Sequence, residues 1–122
     1  MIGFMSGLKD SLERAGFQVS EKQVKYASLV GETVSERKVT GFKPTEKVKV
    51  SYVESGGSGK LYITVQGSRA SKRLASVLEG LGGSVDYDDS EDRIFAVFKK
   101  INEEKASSIV RRVFGIGGSR LG

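Results

Sequence analysis

The feature that most constrains this chain is a change in the spacing of its apolar residues that occurs twice after residue 46. Apolar residues first alternate with polar ones, which is the period of a half-buried β-strand, and then recur every three to four positions, as on one face of an amphipathic helix. Turn signals rich in glycine and serine separate these segments. The predicted strands cover residues 47–54, 61–66, 84–87 and 93–99, and the predicted helices run from a Ser68 cap to residue 81 and from an Asn102 cap to Gly115.

This order of elements predicts an α+β fold, a ferredoxin-like plait permuted to ββαββα. In the usual plait the last strand lies antiparallel beside the first. Here segment 47–54 can occupy that position by forming a hairpin with 61–66. Segment 93–99 has apolar side chains on both faces, as an interior strand does. The predicted sheet order is therefore 47–54, 61–66, 93–99, 84–87, with a right-handed crossover through helix 68–81.

The first 46 residues predict a helix-containing extension packed on the main domain. Phe4, Leu8 and Leu12 recur at four-residue spacing, which indicates an amphipathic helix that ends at Gly16. Residues 17–46 leave two alternatives open, a second helix or a hairpin. A capping box at residues 20–23 favours the helix, whereas alternating apolar residues up to Val30 and a turn at Gly31-Glu32 favour the hairpin.

The chain is accordingly divided into three predicted parts. Residues 1–46 form the extension, residues 47–115 form the α+β plait domain, and residues 116–122 form a flexible, glycine-rich tail.

Composition excludes several classes of chemistry. The chain has no cysteine, histidine or tryptophan, which excludes disulfides, thiolate nucleophiles, Cys/His zinc sites and histidine bases. The glycine-rich loop at 56–60 lacks the spacing of a phosphate-binding loop, and the acidic segment 86–92 lacks the glycine and the final glutamate of a calcium loop. We therefore expect no enzyme activity, catalytic residue, cofactor or metal.

Two further expectations concern location and source. No apolar stretch approaches the length of a membrane span, so we expect a cytoplasmic protein without a membrane partner. Few amide side chains and abundant Lys, Arg and Glu are typical of heat-adapted proteins.

Charge indicates a polyanionic partner. The net charge is +5, although segment 86–92 is strongly acidic, so the rest of the chain is more basic than the total implies. Clustered Lys and Arg gain free energy from neutralising phosphates and releasing counterions. The acidic segment would repel phosphate and confine a nucleic acid, DNA or RNA, to the remaining surface.

Two aromatic residues on neighbouring predicted strands supply the candidate site. By strand parity Tyr62 and Phe95 point away from the helices, so their rings can stack unpaired bases while nearby cations hold the backbone. The predicted site for single-stranded nucleic acid consists of Lys47, Lys49, Lys60, Tyr62, Thr64, Gln66, Arg93, Phe95 and Lys99.

These two strands resemble the RNA recognition motif, in which aromatic residues of the first and third strands carry bases. The matching residues are Leu61-Tyr62-Ile63 on one strand and Arg93, Phe95 and Ala96 on the other. The sequence differs from the motif at Ile94, Val97 and Lys100, where the family has glycine or aromatic residues. The resemblance covers two strands and implies a base-binding sheet face.

Two alternatives remain at this point. In the first, the rings belong to the core and are covered by the N-terminal helix, through Phe4, Leu8 and Leu12, or by another subunit. In the second, the open sheet or the N-terminal segment forms a homodimer or docks on a protein partner, so the chain is an interaction module. A separate candidate anion site lies where the first plait strand meets its helix, at Ser68, Arg69 and Ser71.

Overall fold

Six antiparallel strands and three helices form from residues 7–27 and 29–115, which are the residues described by the structure, a computed structural model. The helices are α1 (Leu8–Arg14), α2 (Lys72–Gly80) and α3 (Glu103–Phe114). The strands are β1 (Gln18–Ala27), β2 (Thr33–Lys43), β3 (Val48–Ser55), β4 (Ser58–Gln66), β5 (Ser84–Asp88) and β6 (Arg93–Ile101), with a 3-10 turn at Pro44–Glu46. The strands form one sheet in the order β1-β2-β3-β4-β6-β5, which confirms the α+β class.

The core lies between one face of this sheet and the three helices. Alternate residues of β3 and β4 are fully buried on that face, because side chains two apart along a strand point the same way. Those residues are Val48, Val50, Tyr52, Leu61, Ile63 and Val65. Each large apolar side chain buried in this way contributes about 1.5–3 kcal/mol. None of the described helices is long and apolar enough to cross a bilayer.

Residues 18–43 form a hairpin, which decides between the two alternatives for this segment. The proposed capping box at residues 20–23 lies inside β1, whose residues pair with β2 from Gln18↔Phe42 to Ala27↔Thr33. β2 in turn pairs with β3 along eight residues, so the hairpin extends the sheet. Backbone pairing with β3, which no local pattern reveals, favours the strand over the helix. The sheet therefore has six strands instead of the four expected for residues 47–115.

Helix α1 packs on the same face of the sheet as α3. Leu8 and Leu12 are fully buried in the core, and the buried hydroxyls of Ser11 and Ser107 hydrogen-bond to each other where α1 meets α3. Gly41 of β2 lies close beneath Leu12, where a larger residue would be crowded. Leu8 and Leu12 thus do not cover the opposite face of the sheet. Phe4 and the predicted tail at 116–122 lie outside the described residues.

Helix α2 begins later in the chain than the sequence predicts. Ser71, not Ser68, caps α2, and its hydroxyl accepts a hydrogen bond from the Leu74 N–H at 3.1 Å. The chain turns after β4 at Gly67, where the Ala70 N–H donates to the Gly67 carbonyl, so residues 68–70 cannot belong to the helix. Asn102 caps α3 as predicted, by accepting from the Lys105 N–H at 2.8 Å. The order of strands β3-β4-β6-β5 also matches the sequence prediction.

Substitution of a core glycine tests the packing of β4 against β3. A Cβ at residue 59 would collide with the ring of Tyr52, so Gly59→Ala is expected to lower the free energy of unfolding by about 1–3 kcal/mol in urea titrations. Gly80→Ala is the matched control. No atom lies within 4 Å of a Cβ there, and alanine favours a helix, so this variant is expected to be neutral or slightly stabilised. Equal stability of the two variants would contradict this packing.

Candidate nucleic-acid interface

The face of the sheet opposite the helices carries two stacked aromatic rings. Tyr62 pairs with Val97 and Thr64 pairs with Phe95, which places the two rings diagonally on neighbouring strands β4 and β6. Their centroids lie 6.3 Å apart at an interplanar angle of 24°. Phe95 is 42% exposed, and within residues 7–27 and 29–115 no helix covers this face. We call it the open face.

Most of the residues expected at the site occupy the open face around these rings. Lys49 pairs with Thr64, and Gln66 pairs with Arg93, so each cation lies one strand away from a polar partner of the same face. Lys60 and Lys99 lie further along β4 and β6. The position of Lys47 differs from the prediction. It precedes β3 in a left-handed conformation (φ 54°), close to Gly67 at the margin of the open face.

The structure adds two lysines, Lys22 and Lys38, that the sequence did not identify, and aligns them with Lys60. Lys22 of β1 pairs with Lys38 of β2, Lys38 pairs with Val53, and Val53 pairs with Lys60. Paired residues of an antiparallel sheet lie on the same face, so these lysines continue across the open face. Their positions depend on the register of the hairpin, which the sequence left open. The alternating pattern in β1 was the one signal that could have indicated them.

Other hydrophobic side chains of the open face also come from the hairpin. Phe42 pairs with Lys49 and is 46% exposed, which makes it a third ring on this face. Val24 and Tyr26 lie towards the tip of the hairpin and are similarly exposed. The open face therefore combines cations, hydroxyls and rings.

Acidic residues border the open face along β5. Asp86 pairs with Phe95, and Asp88 pairs with Arg93. A hydrogen bond from the Ser90 hydroxyl, backbone hydrogen bonds from residues 90 and 91, and the nearby charge of Arg93 lower the pKa of Asp88. The Asp88 carboxylate is therefore ionised at neutral pH, and this edge of the sheet repels phosphate.

The candidate anion site at Ser68, Arg69 and Ser71 is arranged differently from the prediction. The Ser71 hydroxyl is occupied by the cap of α2, and the Arg69 guanidinium forms an ion pair with Glu46. Ser68 is exposed. Two of the three groups thus already have partners within the protein.

An ionic network on the other face fixes the hairpin to the helices. The Arg37 Nε donates to Glu21 at 2.6 Å, and its terminal nitrogens donate to both carboxylate oxygens of Glu103. Glu103 also accepts from the Leu8 N–H at 2.9 Å. The Arg37 hydrogen bond is the main cause that holds the pKa of Glu103 below its ordinary value, and in return Glu103 raises the pKa of Arg37. The network joins β2 to the N-termini of α3 and α1.

Tyr52 lies beside this network in the core. Burial, reinforced by the nearby carboxylate of Glu54, raises its pKa to about 12, so the phenol stays neutral at physiological pH. Its hydroxyl has no hydrogen-bond partner among the described residues. We therefore assign Tyr52 a structural role in the packing of the core.

The described residues contain no group of three or more His, Cys, Asp or Glu side chains placed to hold a metal ion. Comparison of the chain with protein families, with curated proteins and with solved structures finds no match.

The pH dependence of stability tests the ionic network. Because the pKa of Glu103 is lowered from 4.5 on folding, its contribution is fully present at neutral pH and is lost as the pH falls below about 4.5 and through the pKa of the folded state. Glu103→Gln should lower the free energy of unfolding by about 1–2 kcal/mol at pH 7. This difference from the wild type should shrink towards pH 3 in thermal melts.

Glu104→Gln is the matched control, because it removes the same charge from the next residue, which is exposed. A loss equal to that of Glu103→Gln would show that helix charge, and not the Arg37 contact, accounts for the effect.

Proposed function

We propose that this protein binds single-stranded nucleic acid, DNA or RNA, on the open face without catalysing a reaction. The observation that carries the proposal is the stacked pair of rings on the open face, of which Phe95 is exposed and Tyr62 is partly buried. Cations surround this pair on β3, β4 and β6, and the carboxylates of β5 lie beyond it. Aromatic faces stack unpaired bases with about 1–3 kcal/mol per base. A duplex keeps its bases stacked on one another, so an open sheet of this kind favours single strands.

The cations around the rings support the same proposal. Lys49 and Arg93 flank the rings on the open face, and Lys60 and Lys99 lie beyond Tyr62. Phosphate contacts from such residues supply affinity that depends on salt but not on sequence. The rings and the cations together match the two parts of a nucleotide, the base and the phosphate.

The proposal includes a fold assignment for the part of the chain from β3 to α3. We assign this part to a permuted ferredoxin-like plait, with the β1–β2 hairpin added at its edge. The order β3-β4-β6-β5 and the packing of the helices on one face support the assignment. In this arrangement the face free of helices is the face that RNA recognition motifs use for bases.

Substitution of the two rings tests the proposed function. Tyr62→Ala and Phe95→Ala should each weaken binding of a fluorescein-labelled oligothymidylate by roughly 5- to 150-fold in anisotropy titrations, because each removes one stacking surface. Tyr62→Phe should bind nearly as well as the wild type, since the ring is kept.

Val77→Ala is the control for loss of an exposed apolar side chain, because Val77 lies on α2 on the other side of the sheet. It should bind as the wild type does. If wild-type protein fails to bind single-stranded DNA and RNA at low salt, or if the alanine variants with an intact circular dichroism spectrum bind normally, the proposal is wrong.

A second candidate function is self-association through β1. This strand forms one edge of the sheet, and Val24 and Tyr26 near its end are 43% and 48% exposed. An exposed edge strand with apolar side chains can pair with a second copy. Light scattering over a concentration series separates the two candidates. A stable dimer that ignores oligonucleotides and becomes monomeric on Val24→Lys would favour self-association, whereas a monomer would eliminate it.

A further inference from the structure

We infer that the bound strand crosses the open face at right angles to the β-strands, with its phosphates along a row of four lysines. We call these residues the lysine row: Lys22, Lys38, Lys60 and Lys99. This inference rests on the proposed function and adds the path of the nucleic acid to it. It also makes the β1–β2 hairpin part of the binding site.

The strand register builds the lysine row. Lys22 faces Lys38, and Val53 separates Lys38 from Lys60. The register between β4 and β6 shifts by one residue at this point, since Gly59 pairs with Ile101 and Leu61 with Phe98, so Lys60 lies opposite residues 99–100. The row therefore extends over five adjacent strands, from β1 to β6. Four strand spacings correspond to about 19 Å, enough for several nucleotides.

The lysines of the row have no ionic partners among the described residues. The ion pairs there involve Arg14, Arg37, Lys43 and Arg69. Glu36 is the one acidic residue that strand parity places on the open face within β1 to β4, and it forms none of those ion pairs. Like charges directly opposite each other destabilise a sheet, so the Lys22–Lys38 pair costs the free protein stability. Phosphates along the row would remove that cost.

The distance from the lysine row to the rings and the charges of β5 limit where the strand lies. Tyr62 lies two residues from Lys60 along β4, a distance of about 6.8 Å. On the far side of Phe95 lie the carboxylates of Asp86 and Asp88. β5 lies beyond β6 in the sheet, so its carboxylates repel a polyanion past that end of the lysine row. The short step from Lys60 to Tyr62 then brings the bases of a strand that follows the row over the rings.

The hairpin lysines are held in place by the ionic network on the other face. Arg37 is the neighbour of Lys38 in β2, and it binds Glu21, the neighbour of Lys22, as well as Glu103 of α3. Because neighbours along a strand point to opposite faces, this contact fixes the backbone that presents the two lysines. The row is consequently formed before the ligand binds.

The salt dependence of binding tests the proposed path of the nucleic acid along the lysine row. Lys22→Gln and Lys38→Gln are titrated with labelled oligothymidylate and oligouridylate at several salt concentrations. Each substitution should reduce the slope of log affinity against log salt by about 0.7, and the double variant by about 1.4, because each lysine neutralises one phosphate of a single strand. Lys38→Gln should unfold at the same or a higher temperature than the wild type, because it removes a like-charge pair.

Lys25→Gln is the matched control. Lys25 is also exposed on β1 but pairs with Ser35, which places it on the face opposite the lysine row. It should leave the slope unchanged. If Lys22→Gln and Lys38→Gln behave like Lys25→Gln while Tyr62→Ala still weakens binding, the path is wrong and the proposed function stands. If the wild type binds neither oligonucleotide, both fail.

Discussion

The pairing of β2 with β3 is the constraint on which the rest of the open face depends. Val39 opposite Tyr52 places two buried side chains on the helix face, and Lys38 opposite Val53 then falls on the open face. A slip of one residue would exchange the faces of the whole hairpin, bringing Lys38 into the core and Val39 into solvent. The hydrophobic core thus fixes where the lysines of the hairpin lie, although they make no contact with it.

The described helices leave one side of the sheet uncovered because all of them pack on the other side. All three helices bury their apolar residues in a single cluster with the same face of the sheet. The opposite face carries short hydroxyl side chains in its centre, such as Thr40 and Ser51, which give a flat surface and need no cover. The rings of Tyr62 and Phe95 project from this face.

The sequence predicted the elements whose pattern is local. The strands at 58–66 and 93–101, with the helices that follow them, were indicated by residue spacing, and the Asn102 cap by residue type. The hairpin could not be decided in this way, because residues 20–30 satisfy a helix cap and a strand pattern at once. Long-range pairing with β3 decides between them.

The same distinction between local pattern and long-range pairing explains why only part of the candidate site was predicted. Tyr62 and Phe95 could be placed together because both lie on strands with clear alternation, and the structure places their rings 6.3 Å apart. Lys22 and Lys38 were missed, since their place depends on a register that only the folded sheet determines. On β2 the open face runs from Lys38 through Thr40 to Phe42, whereas on β4 the ring of Tyr62 follows directly after Lys60. The proposed nucleic-acid ligand would match this neighbourhood of cations and rings, because a nucleotide carries a phosphate for the cations and a base for the rings, whereas other polyanions lack the base.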